Sequence, residues 1–346
     1  MSFSTAQTII RKEFEAVGSS SEYDSLRIEF FGGETFLEFD SLRQIVEWVQ
    51  SEEWPVPYRF FATTNGTILT DSMKDWLRSK KDILTVGLSF DGTPEMQNVN
   101  RCNSFDKIDV AFFLENYPYQ TVKMTVSTRT LKSFAQGVIY LQEKGFEVDP
   151  SCACGEDWDA DCGVEYQKQL YELAEYYLAN PEVKPVDLLT LRFHDVLLPC
   201  SPQPFCGAGK GFITYDITGE AYPCHMFTPL VSDKSAANRI SAESFQKESR
   251  YVDPRCENCV VVNICTTCYG YNYGRSGRID CRDPRLCDLF QSQCKAAAWF
   301  QLRLFEIKKQ RRELFSPDEI ENMKGVVCFF KKMEKLGFSN VFLDKE

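Results

Sequence analysis

LRIEFFGGE, residues 26–34, is an apolar run with strand character that ends in a glycine pair and an acid. DSLRQIVEWVQ (40–50) follows it, with Leu42, Ile45, Val46 and Val49 on one helical face behind an Asp/Ser cap. The alternation repeats. PYRFFATTNGT (57–67) predicts a strand and turn, and TDSMKDWLRSK (70–80) a capped helix with Met73, Trp76 and Leu77 inward. ILTVGLSFDGT (83–93) and TVKMTVST (121–128) predict two further strands, and LKSFAQGVIYLQEKG (131–145) a helix closed by Gly145. Successive βα units specify an α/β fold with a parallel sheet and helices outside it, open or closed into a barrel. In such folds the active face lies at the carboxyl ends of the strands. Gly32-Gly33-Glu34, Asn65-Gly66-Thr67 and Asp91-Gly92 fall there, so three polar, glycine-bearing strand ends on one rim suggest a small-molecule site.

Beyond residue 145 the pattern changes. DPSCACGEDWDADCG (149–163) predicts an irregular connection, and a helix with Leu170, Leu173 and Tyr177 follows. Two terminal helices are expected in AAAWFQLRLFEIKKQRRELF and DEIENMKGVVCFFKKMEKLGF.

Ten of the fifteen cysteines lie between Cys200 and Cys294. The densest run is CENCVVVNICTTC, or Cys256-x2-Cys259-x5-Cys265-x2-Cys268, with Cys200, Cys206 and Cys224 upstream and Cys287 downstream. Four converging thiolates bind an iron–sulfur cluster or zinc. Zinc ribbons separate their two Cys-x2-Cys pairs by ~15–20 residues. A single zinc would also leave Cys200, Cys206, Cys224 and Cys287 unexplained, so the spacing favours iron–sulfur while structural zinc stays open. Only His194 and His225 are present, which argues against chemistry built on several histidines.

Composition narrows the rest. Across 346 residues the net charge is −11, which argues against a nucleic-acid partner, since phosphate binding needs clustered Lys and Arg. KKQRR (308–312) fits a solvated helix face. No stretch reaches the ~18 apolar residues of a membrane span. The N-terminus lacks the basic start and apolar core of a signal peptide. These features predict a cytoplasmic protein whose cysteines stay as thiols or hold metal, rather than a disulfide framework.

The segment CGAGKGFITYDITGEAYPCH (206–225) and the cluster after it resemble the SPASM domain, the auxiliary-cluster module of radical S-adenosylmethionine (radical SAM) enzymes. Cys265-x2-Cys268 is one residue shorter than in many members. IEFFGGET (28–35) resembles the GGEP motif that holds the amino group of SAM, with Thr35 in place of proline, and TNGT (64–67) and LSFDGTPEMQNVNR (88–101) are similar to the next two strand ends. The resemblance covers roughly residues 1 to 295. It implies a partial (β/α)6 radical SAM barrel over 1–198, a SPASM iron–sulfur domain over 199–295 and C-terminal helices over 296–346. It also implies Gly32, Gly33 and Glu34 at the amino-acid end of SAM, with Asn65 and Ser89 on the same rim. Cys200, Cys206, Cys224 and Cys268 would hold one auxiliary [4Fe–4S] cluster, and Cys256, Cys259, Cys265 and Cys287 a second, with Cys281 and Cys294 as rivals of Cys287.

The family's Cys-x3-Cys-x2-Cys motif is absent from the 346 residues, and MSFSTAQTIIRKEF (1–14) resembles the helix that follows it in relatives. The barrel is therefore expected to lack its first strand, which would leave strand 26–31 as an unpaired edge, an aggregation liability. That favours a sequence beginning downstream of the motif of an active enzyme over a protein that has lost the radical chemistry. As it stands, the chain is expected to bind SAM weakly and cleave none. The implied activity of the complete enzyme is hydrogen abstraction from a peptide or protein side chain, as in sulfatase maturation or ribosomal-peptide crosslinking. An electron donor such as flavodoxin or ferredoxin would serve it. The alternative is a non-catalytic iron–sulfur or zinc-binding peptide-recognition protein. Sulfatase-maturing relatives carry an aspartate, proposed as base, after the cysteine matched by Cys224; His225 stands here, with Asp91 as a rival.

Overall fold

A computed structural model describes residues 1–199, 206–231, 240–247 and 251–335. The elements begin with α1 (Phe3–Gly18), β1 (Leu26–Phe30), α2 (Phe39–Ser51), β2 (Tyr58–Thr64), α3 (Asp71–Lys80), β3 (Leu84–Leu88), α4 (Pro94–Asn100) and α5 (Val110–Asn116). They continue with β4 (Val122–Val126), α6 (Phe134–Glu143), β5 (Val148–Cys152) and α7 (Ala160–Ala179). The remainder holds the short strands β6 (Thr214–Tyr215) and β7 (Ala221–Tyr222), then α8 (Ala242–Gln246), α9 (Tyr269–Ser276), α10 (Pro284–Gln310) and α11 (Pro317–Lys335). Two compact units result. The first comprises 1–125, 140–151 and 208–246, and the second 126–139, 152–207 and 247–346.

In the first unit β1, β2 and β3 form a parallel sheet in that order, with Ile28 opposite Phe60 and Ala62 opposite Val86. A parallel bridge from Ser89 to Lys123 leads to the pair β4–β5. Phe60, Ala62, Leu84, Val86 and Leu88 are buried, as strands covered by helices should be. β1 differs from its expectation as a buried strand: none of its residues is fully buried. The reason is its place at the sheet edge, with β2 as its one strand partner among the described residues.

Helix α1 starts at an N-cap, Ser2, whose side chain accepts from the Thr5 amide at 3.1 Å. Its Phe14 ring stacks on Trp54 at 4.1 Å, fixing the helix to the unit's aromatic core. The hairpin β6–β7 turns through Asp216, whose Oδ1 accepts from the Thr218 and Glu220 amides at 2.8 and 3.1 Å. Gly219 closes that turn at φ +90°, a conformation side chains rarely adopt.

The expectation of an irregular connection over 149–163 is corrected by β5. Asp149 and Pro150 are poor strand formers, and proline removes a ladder donor. An edge strand tolerates this, and among the described residues β5 pairs with β4 alone. Lys123 and Asp149 form an ion pair across the two strands.

In the second unit α7 and α10 pack together along their length, burying Leu170, Leu173 and Tyr177 on one side and Leu289, Ala296, Ala297 and Phe300 on the other. α10 begins at Pro284, twelve residues before the expected terminal helix, behind the N-cap Asp283. Lys308, from the basic run, pairs with Glu319 at 2.5 Å, while Arg311 and Arg312 lie exposed past the helix end.

Candidate functional site

Parallel pairing brings the ends of β1, β2 and β3 to one rim. Glu34 ties two of them together. Its Oε1 accepts from the Thr64 hydroxyl at 2.7 Å and the Phe36 amide at 3.0 Å, and its Oε2 accepts from the Asn65 amide at 2.7 Å. The carboxylate thus caps the 3-10 turn Thr35–Glu38 rather than the helix near residue 40. Thr64, which the sequence reading did not single out, is fixed in turn by the Gly66 amide at 3.1 Å. Asn65 turns its Oδ1 back to the Thr67 amide and hydroxyl, at 2.9 and 2.7 Å. The Ser89 amide donates to the Thr64 carbonyl at 2.9 Å, so the third strand end joins the same rim.

Gly32 and Gly33 are exposed, neither has a positive φ, and a Cβ added at either would meet nothing within 4 Å. Protein packing does not require glycine there. Gly66 contrasts with them: at φ +74° its added Cβ would lie 2.8 Å from Leu88. The space over Gly32 and Gly33 is open, and the missing side chains would let a ligand approach the backbone closely there.

The two candidate bases separate on geometry. Asp91, 1 % exposed, accepts from Arg101 Nε and Nη2 at 2.8 and 3.0 Å, from the Thr125 amide at 2.8 Å and from Asn100 Nδ2 at 3.3 Å. Four donors occupy its lone pairs, which favours a tie between β3, α4 and β4 over the role of base. His225 is half-buried and stacks on Phe31, with centroids 4.3 Å apart and planes 30° apart. Phe31 immediately precedes the glycine pair, so the imidazole stands beside the rim. Burial lowers its pKa from 6.5, keeping the ring neutral and able to accept a proton near neutral pH.

The cysteines fall into groups. In the second unit Cys256, Cys259, Cys265 and Cys287 lie within reach of one another's charge. Burial pushes the Cys265 thiol up to about 12 and raises Cys256 and Cys287, while the Arg282 guanidinium pulls all three down. Cys294, fully buried on α10, is also within reach of the charge of Cys265 and Cys259, whereas Arg255 and Arg278 are within reach of that of Cys281. Cys206 and Cys268 feel each other's charge. Cys268 caps α9, its sulfur accepting from the Tyr271 amide at 3.4 Å. Burial raises this thiol against that pull. Cys224 belongs to the first unit, and Cys200 lies outside the described residues.

Among the described residues no three His, Cys, Asp or Glu side chains converge closely enough to hold a metal ion as placed. The donor set nonetheless suits an iron–sulfur group: four soft thiols beside a buried cation. Among the described residues no helix is long and apolar enough to cross a membrane.

No model of a known protein family matches the sequence. The chain is 21 % identical over 285 residues to the radical SAM cyclopropyl synthase TigE of Paramaledivibacter caminithermalis, spanning 77 % of this chain and 59 % of that relative. The chain therefore spans about three fifths of that relative's length. Its fold matches solved structures of anSMEcpe. With bound AdoMet the TM-score is 0.64 at 16 % identity, covering 92 % of this chain and 89 % of that one. With bound AdoMet and the Cp18Cys peptide it is 0.64 at 18 %, covering 88 % and 91 %.

Proposed function

We propose, taking the chain as a SPASM-type member of the radical SAM superfamily, that it is part of an enzyme that modifies a peptide or protein side chain by hydrogen abstraction. The observation that carries this reading is the rim itself. An open glycine pair, with Glu34 bound to the end of the neighbouring strand, lies on a fold shared with AdoMet-binding proteins. A relative named as a radical SAM cyclopropyl synthase and fold neighbours solved with peptides support a peptide as substrate.

In this reading the backbone at Gly32 and Gly33 receives the amino-acid end of SAM, and Glu34, Asn65 and Ser89 hold the rim in shape. SAM, when bound, would supply the radical chemistry that takes the substrate hydrogen. Loss of a proton and an electron then completes the product. His225 is the proton acceptor, its neutral ring held against Phe31. Cys200, Cys206, Cys224 and Cys268 would hold one auxiliary [4Fe–4S] cluster and Cys256, Cys259, Cys265 and Cys287 a second, and these groups would supply an acceptor for the electron. A flavodoxin- or ferredoxin-like donor would serve the enzyme. The domain assignment goes with it: barrel over 1–198, SPASM domain over 199–295, helices over 296–346.

The 346 residues contain no Cys-x3-Cys-x2-Cys, so this chain lacks the iron that chelates SAM for cleavage. Anaerobically reconstituted chain, incubated with SAM and dithionite, should bind SAM weakly and form no 5′-deoxyadenosine. A form extended by the cluster segment should form it, and His225→Ala in that form should slow product formation by ~10²–10⁴-fold while sparing iron content and SAM cleavage. Release of 5′-deoxyadenosine by the shorter chain contradicts the proposal, as does an extended form that cleaves no SAM.

A further inference from the structure

Three aspartates frame the cysteine segment of the second unit, and each is matched to an arginine. Asp253 grips Arg255, with Nε to Oδ1 at 3.0 Å and Nη2 to Oδ2 at 2.5 Å. Asp280 holds Arg278 at 2.8 Å. Asp283 holds Arg285 at 3.1 Å and also pairs with Arg275. Arg282 stands among them and, in the described residues, takes none.

Its backbone is pinned. The Arg282 amide donates to Asp253 Oδ2 at 3.1 Å, and its carbonyl accepts from Arg255 Nη2 at 2.9 Å. The residue is only 8 % exposed, and its Nε is a buried donor without a hydrogen-bond partner. Among the described residues it is the one cationic side-chain atom so placed. A buried guanidinium with no acceptor is costly, and a fold that surrounds it with acids already engaged elsewhere keeps it unpaired. The groups whose charge it does reach are the thiols of Cys256, Cys265 and Cys287.

We infer that Arg282 is the counter-ion and N–H donor of the iron–sulfur cluster that Cys256, Cys259, Cys265 and Cys287 would hold, its buried, unpartnered Nε–H being the donor available to that group. The inference rests on the ligand assignment under Proposed function. Each electron added to a thiolate-ligated cluster makes it more negative. A fixed cation and an N–H···S bond therefore stabilise the reduced form and raise the reduction potential. Arg282 is a positioning residue that sets how readily this cluster accepts an electron.

The test compares full-length wild-type chain, Arg282→Gln and Arg282→Lys, each reconstituted anaerobically with iron and sulfide. Iron is counted, and the clusters are titrated with dithionite under EPR. Iron content should be unchanged in both variants. In Arg282→Gln one EPR component should shift its oxidised-to-reduced ratio at fixed potential at least tenfold toward oxidised. That is about 59 mV lower for a one-electron couple. Arg282→Lys, which keeps the charge but not the planar donor, should shift the same way by less. Unshifted potentials in Arg282→Gln with iron retained overturn the inference. So does loss of iron from both variants, which makes Arg282 a support for assembly. Wild-type chain that takes up no iron overturns the ligand assignment as well, and the iron count tells that case from the others.

Discussion

Gly33 illustrates how a residue's role follows from what surrounds it. With no positive φ and no atom within 4 Å of an added Cβ, alanine fits there without strain. Gly33→Ala should therefore leave thermal stability unchanged or raise it by ~0.4–1 kcal/mol, because it restricts the unfolded chain. The same methyl group occupies the space proposed for SAM, so calorimetry should record at least a tenfold loss of affinity, about 1.4 kcal/mol. Equal affinity in the two proteins would remove Gly33 from the site. His225 makes the second residue-scale case. Burial holds its imidazole neutral below the usual 6.5. The sign for folding follows: the native state disfavours the protonated ring, so the contribution of this residue to stability is present above pH 6.5 and is lost as pH falls below it. NMR titration of the two histidines, with His194→Gln for assignment, should show His225 titrating below 6.5. Phe31→Ala, which exposes the ring, should move it up. A His225 that titrates at or above 6.5 in the wild-type chain contradicts this reading and weakens its case as the proton acceptor.

At the scale of elements, α11 shows what close packing demands. A Cβ on Gly325 would lie 2.1 Å from the Phe193 carbonyl oxygen, a backbone atom that cannot swing aside. Gly325→Ala should destabilise the chain by ~1–3 kcal/mol through overpacking against the 193–197 turn, read as an earlier urea midpoint. An unchanged midpoint would mean that the helix is not seated there. Nothing in GVVCFF signals this requirement, because it depends on a turn some 130 residues away. β1, β2, β3 and β4, in contrast, were legible from apolar runs bounded by turn residues, α2 and α3 from helical periodicity behind caps, and α7 from its apolar positions alone. β5 was not, since Asp149-Pro150 spells a turn and edge placement is what permits a strand. α10 was legible in its apolar half and hidden in its first turns, where Asp283-Pro284 is an N-cap signal masked by the surrounding cysteines. At the site, Gly32, Gly33 and Glu34 stood out as a polar strand end and the cysteine run by its spacing. Thr64, Phe31 and Arg282 were not, because each takes its meaning from a partner distant in sequence or, for Arg282, from neighbours that leave it without one.

Taken as a whole molecule, the chain combines a sheet whose strand ends carry an exposed glycine pair and a tied carboxylate with a thiol-rich segment framed by ion pairs. Its net charge of −11 makes the few buried cations stand out, and Arg282 is placed where thiolate charge would gather. The account stands on those thiols holding iron and sulfur rather than zinc. Metal and sulfide analysis of anaerobically reconstituted full-length chain tests it most directly. Two [4Fe–4S] clusters on eight thiolates predict about eight iron and eight acid-labile sulfide per chain. Stoichiometric zinc without iron would contradict it.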